Sequence, residues 1–112
     1  MAVKIGDSVV VKSGIADPDF GTDISGWQGR IEEVHDEEWI LIRWDSITLR
    51  EMGPALIIRC ENENFDWEIM HLNATDVDVV PPRDSEADVF RTAAQLAVDI
   101  VNDPRLGRDE EG

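Results

Sequence analysis

The chain has 112 residues and sets 25 acidic side chains against ten basic ones, a formal charge of −15. A field of that sign repels phosphate and disfavours nonspecific capture of nucleic acid or an anionic membrane. The single cysteine excludes an internal disulfide, and with it a fold that depends on oxidation.

Eight of the ten basic residues are arginine. With the large negative charge, this bias reads as halophilic adaptation, since concentrated salt screens carboxylate self-repulsion. The length suits one domain with a modest core. Met1 leads into Ala-Val-Lys-Ile-Gly-Asp without the apolar run of a signal peptide. No stretch approaches the roughly 18 apolar residues of a membrane span. A soluble cytoplasmic protein is expected.

Residues 3–35 read as glycine-rich β structure. A turn at Gly6 and Asp7 opens a short strand over residues 8–12. Residues 13–26 form a long irregular loop carrying Asp17, Pro18, Asp19, Gly21, Asp23 and Gly26. Extended structure resumes over 27–34, with Trp27, Ile31 and Val34 as inward positions, and the polar run 35–38 is expected to be a hairpin tip. Trp39–Trp44 is apolar almost throughout and predicts a strand covered on both faces, with Trp39 and Trp44 pointing to opposite sides.

Residues 45–64 change character. Thr48 and Glu51 have the spacing of a capping box, and Pro54 suits the first turn of a second short helix reaching Cys60. Extended structure is expected again over 65–72, and residues 76–80 alternate as a closing strand that Pro81 and Pro82 stop. Ser85 then caps a helix with acids in its first turn. Val89, Ala93, Leu96, Ala97 and Ile100 recur at helical spacing, flanked by Phe90, Ala94 and Val101. So wide a stripe is not left in water, and the helix is expected to dock on the body of the protein or on a second copy. Pro104 ends it, and residues 105–112 are expected to be a disordered charged tail.

The segment Lys4-Ile-Gly-Asp-Ser-Val-Val-Val, followed after the loop by Gly26-Trp-Gln-Gly-Arg-Ile-Glu-Glu-Val, resembles the opening of an SH3-like small β-barrel. It is similar to KOW modules and to Mind-bomb-type interaction domains: a Gly-Asp turn, then Gly-x-x-Gly-x-Ile, then a strand ending Arg-Trp-Asp. The resemblance covers residues 3–45, with 76–80 as the closing strand. The resemblance implies an SH3-like small β-barrel; with the helices read above, the expected fold is mainly β with added helices, a barrel over 1–82 with a short helical insertion at 45–64 and a C-terminal helix over 83–104 packed on it. Such barrels host many tasks. This chain departs from KOW modules in its long acidic loop and its insertion, and it has no tyrosine to line a proline-peptide groove.

Asp17, Asp19 and Asp23 share one glycine-containing loop. Ca²⁺ takes about six to eight oxygens on a flexible frame, so these are the candidate metal ligands. Their spacing is not that of an EF-hand, and the plainer reading is an acidic loop with a turn at Asp17 and Pro18. Glu32, Glu33, His35, Asp36, Glu37 and Glu38 form a second acidic cluster. His35 has the chemistry of a transition-metal ligand, but His71 stands alone far along the chain, and a solvated hairpin tip is the preferred reading. Cys60 has no base paired with it in local sequence and reads as core beside Ile57. There is no phosphate-binding glycine loop, metal quartet or dinucleotide fingerprint, so no enzyme and no resident cofactor is expected.

Phe20 and Trp27 lie in or beside the long loop, where exposed aromatics serve as anchors; the alternative is that both are core. With Arg30 they are the candidate partner-binding residues. The leading expectation is a non-catalytic interaction module that binds a protein partner through the 13–26 loop and the 45–64 insertion. The second is a small Ca²⁺-binding protein using the acidic loops. The third is an RNA- or ribosome-associated module that reaches RNA through Arg30 and Arg43 in high salt.

Overall fold

A computed structural model describes residues 3–18, 20–36 and 38–106. Along the chain come β1 (Ser8–Val11), β2 (Gln28–Val34), β3 (Trp39–Trp44), α1 (Ser46–Met52) and α2 (Pro54–Asn62). They are followed by β4 (Ile69–Asn73), a 3-10 turn (Ala74–Asp76), β5 (Val77–Val79) and α3 (Glu86–Val101).

All five strands join one antiparallel sheet in the order β4-β3-β2-β1-β5. The mixed character is as expected, a β-sheet with added helices, but the sheet is not closed. Among the described residues no ladder joins β4 to β5. Closure demands strands long enough to tilt and stagger around an axis. Here β1 has four residues and β5 three, and Pro81-Pro82 follows directly after Val80.

Two glycines of the Gly-x-x-Gly pattern have separate reasons. Gly26 turns the chain into β2 at φ +84°, a region that side chains rarely enter. At Gly29 a Cβ would collide with the carbonyl oxygen of Arg43 on the neighbouring strand. The β2–β3 ladder then shifts register between Ile31 and Glu33, so Ile31 faces Ile42 whereas Glu33 faces Leu41. Strict alternation would have put Glu33 on the inner face beside Ile31; the bulge turns it outward. Val34 lies across from buried Ile40 but at the rim of the sheet, and is more exposed than its expected inward role implies.

The core lies between the inner face of the sheet and the three helices. Val9, Ile31, Ile40, Ile42 and Trp44 supply the sheet side; Leu49, Ile57, Val89 and Ile100 come from the helices. Each such side chain contributes on the order of 1.5–3 kcal/mol by leaving water. Helix α1 begins earlier than the Thr48–Glu51 spacing predicts. Asp45 is its N-cap and accepts from the Thr48 amide at 2.8 Å. The Thr48 hydroxyl instead accepts from the Gln28 amide of β2 at 3.0 Å. Pro54 opens α2, and α3 carries a complete capping box between Ser85 and Asp88.

The approach to α3 is clasped by two adjacent residues. Arg83 meets both carboxylate oxygens of buried Asp45 at 3.0 Å and the Thr48 hydroxyl at 3.1 Å. Asp84 accepts from the Ser46 amide at 2.7 Å and pairs with Arg30 at 3.0 Å. Burial pushes the Asp84 carboxyl up, but the bonds from Ser46 and Arg30 outweigh it and leave it below the usual carboxylate value. This clasp seats α3 chiefly on α1, where Val89, Ala93 and Ile100 enter the core. No helix of the described residues is long and apolar enough to cross a membrane.

Candidate functional site

Loop 13–26 is a self-contained unit. Ala16 bridges to Asp23, the Asp17 amide donates to the Thr22 carbonyl at 2.7 Å, and the Gly21 amide donates back to the Asp17 carbonyl at 2.9 Å. Ile24 plugs the loop into the core with no exposure at all. Of the three candidate calcium ligands, Asp17 is buried and Asp19 lies outside the described residues. The Asp23 carboxylate accepts from the hydroxyl of Ser25 at 2.6 Å and from its amide at 3.0 Å, and both bonds hold it below the ordinary carboxylate value.

The three candidate partner-binding residues are each engaged inside the molecule. Phe20 meets Phe65 edge to face at 5.3 Å, and the Arg59 guanidinium lies 4.0 Å from the centre of its ring. Loop and insertion therefore meet at this cluster, with Phe20 half-buried and Phe65 exposed. Trp27 packs edge-on against fully buried Trp44 at 5.2 Å. Arg30 is held by Asp84. Cys60 sits among the buried residues of α2.

The open apolar surface lies elsewhere, on α3. Its helical geometry gives it two apolar faces. One, carrying Val89, Ala93 and Ile100, is buried; the other carries Phe90, Ala94, Ala97, Val98 and Val101 and is exposed. Phe90 is 61%, Val98 56% and Val101 72% exposed, and across from Phe90 the side chain of Ile5 is 66% exposed. Between Ile5 and Phe90 opens a hollow of about 200 Å³ with Arg30, Arg43 and Glu86 among its lining residues. Arg43 is bound by Glu32 at 2.7 Å and by Glu68 at 3.2 Å; the Glu32 bond in particular raises its already high pKa. Burial and neighbouring Asp66 push the Glu68 carboxyl up despite the Arg43 contact. The hollow thus has apolar walls beside fixed, internally neutralised charge.

A second grouping was illegible along the chain. His71 does not stand alone: its Nε2 lies 3.2 Å from the Nε2 of His35, which in turn lies 3.1 Å from a Glu33 carboxylate oxygen. Thirty-six positions separate the two histidines. Only the pairing of β4 with β3, across the two intervening helices, brings them together, and no local spacing rule carries that signal. No family model, curated protein or solved structure matches the chain.

Proposed function

We propose that the protein is a non-catalytic interaction module that docks a partner protein on the outward face of α3 and the adjoining Ile5–Phe90 hollow. The observation that carries this reading is the exposed run of Phe90, Val98 and Val101 on a helix whose neighbouring face already fills the core. Contiguous apolar surface of this kind marks interaction sites. Glu86, Asp88 and Asp99 lie on the same helix, and the chain carries −15 overall, so the complementary partner presents an apolar helical stripe bordered by lysine or arginine. Arg30, a candidate from the sequence, lines this hollow. A second docking point is favoured by the exposure of Phe65 over Phe20 and Arg59, where the 13–26 loop meets α2.

The finer architecture belongs to the same proposal. Consecutive antiparallel pairing from β1 to β4, with β5 returning beside β1, supports an SH3-like arrangement left open between β4 and β5. We read the acidity as halophilic adaptation in a cytoplasmic protein. Stability then climbs as KCl rises from about 0.1 M toward 2 M, because screening relieves carboxylate repulsion; a flat thermal-melt series retires that reading.

The docking proposal is tested by titrating a synthetic lysine-rich amphipathic peptide with a leucine stripe into the chain and following amide NMR shifts. Shifts mapping to α3 and lost in Phe90→Asp/Val98→Asp support it. Shifts lost instead in Phe20→Ala/Phe65→Ala move the site to the loop–α2 junction. Sedimentation of the same samples detects a second copy as the occupant, which overturns the basic-partner reading.

A further inference from the structure

We propose that Glu33, His35 and His71 form a surface site for a divalent transition-metal ion of the zinc, nickel or copper class. Each offers a donor atom, and the three atoms lie within 4.8 Å of one another. Their spacing is the first argument. Zinc–ligand bonds of about 2.0–2.1 Å at tetrahedral angles separate neighbouring donors by roughly 3.3 Å. The observed separations are 3.2 Å between the two imidazole nitrogens and 3.1 Å from His35 to Glu33. The two separations that meet at His35 thus match the edge of a coordination tetrahedron, and the third lies within 4.8 Å.

The donor chemistry is the second argument. Two imidazole nitrogens with one carboxylate suit borderline metals, whereas Ca²⁺ and Mg²⁺ favour all-oxygen shells. Without a metal, the His35 Nε2 faces both an imidazole nitrogen and a carboxylate oxygen, and one N–H cannot serve both fully. A cation replaces that shared proton and engages all three groups together. The negative field of the chain adds to the local cation concentration.

The third argument is that the backbone, rather than a flexible loop, sets the constellation. The β2 bulge brings Glu33 opposite Leu41, and β4 brings His71 opposite the same Leu41. Glu33 and His71 therefore flank one buried leucine on the outer face of the sheet. At the tip, the His35 amide donates to the Trp39 carbonyl at 2.8 Å, and Asp36 accepts from the amides of Glu38 at 2.9 Å and Trp39 at 3.1 Å. The Trp39 ring lies parallel to that of His71, 3° apart in plane and 5.8 Å between centres, which restrains the imidazole. Three protein ligands leave a fourth tetrahedral position open to solvent or to a ligand.

The test is isothermal titration calorimetry of the full chain with ZnCl₂ in a non-chelating buffer, alongside imidazole ¹H–¹⁵N NMR. The expected result is saturable binding of one zinc per chain, with the ring-nitrogen resonances of both His35 and His71 moving together. His35→Gln or His71→Gln lowers affinity at least tenfold, and Glu33→Gln weakens it by less. CaCl₂ in place of zinc leaves both ring resonances unmoved. All three positions are exposed, so the variants keep the fold, which circular dichroism checks. Zinc affinity within twofold of the parent in His35→Gln/His71→Gln overturns the proposal. So does non-saturating heat that calcium reproduces, because that is the behaviour of an acidic surface alone.

Discussion

Two acidic turns flank β2, and the structure treats them in opposite ways. Loop 13–26 carries aspartates and glycines and looks like a chelating frame; the tip at 35–38 looks like a plain solvated hairpin. Folding turns the first inward. Its backbone closes on itself, Ile24 anchors it, Ser25 occupies the Asp23 carboxylate, and Phe20 is taken up by Phe65 and Arg59. The second keeps its donors outward and acquires a histidine from β4. What the contrast teaches is that a turn's chemistry depends on which of its groups the fold leaves unsatisfied, more than on which groups it contains.

The largest expected effect tests whether the 13–26 loop is structural. Ile24→Ala removes a fully buried side chain, and the cost in urea unfolding is expected at about 2–4 kcal/mol. A cost no greater than that of an exposed loop residue would mean that the loop is a mobile recognition element, and the contrast would collapse.

Next comes the response to ions. Zinc in 100-fold excess over its dissociation constant stabilises the native state by about 2.7 kcal/mol if it binds only the folded chain. Calcium at the same concentration leaves the melting midpoint unmoved. A calcium shift abolished by Asp23→Asn would restore the loop as the ion site and reverse the two roles.

The smallest effect is an acid limb. The hydroxyl and amide of Ser25 lower the Asp23 carboxyl below its ordinary value of 3.8. A carboxylate depressed in the folded state adds stability above its unfolded pKa, and that contribution disappears as pH falls through the lower, folded value. Stability measured from pH 5 downward therefore falls slightly more steeply in the parent than in Ser25→Ala. Parallel acid limbs would show that the Asp23–Ser25 bonds do not hold the loop closed in solution.

What was legible along the chain was local. Ser85 and Asp88 announce the start of α3, Pro54 that of α2, and the apolar run of Trp39–Trp44 announces β3, because capping and periodicity act within a few residues. Asp45 escaped notice as a cap because Thr48 carries an equally plausible side chain three positions later. The choice between them was made by Gln28 and Arg83, which take up the Thr48 hydroxyl from distant segments. Phe20 and Trp27 were recognisable as large apolar groups, but their partners Phe65 and Trp44 were not.

By itself the amino-acid sequence determined the charge, the starts of α2 and α3, the turn at Gly26 and the apolar stripe of α3. All of these follow from interactions between near neighbours or from simple counting. Tertiary structure decided which side of that stripe enters the core, because the Arg83–Asp45 and Asp84–Arg30 clasp sets how α3 lies on α1. It also decided that the sheet stays open and that Glu33, His35 and His71 converge. A one-residue bulge and the register of β4 on β3 control that convergence. Register is a property of paired strands, and neither strand carries it alone.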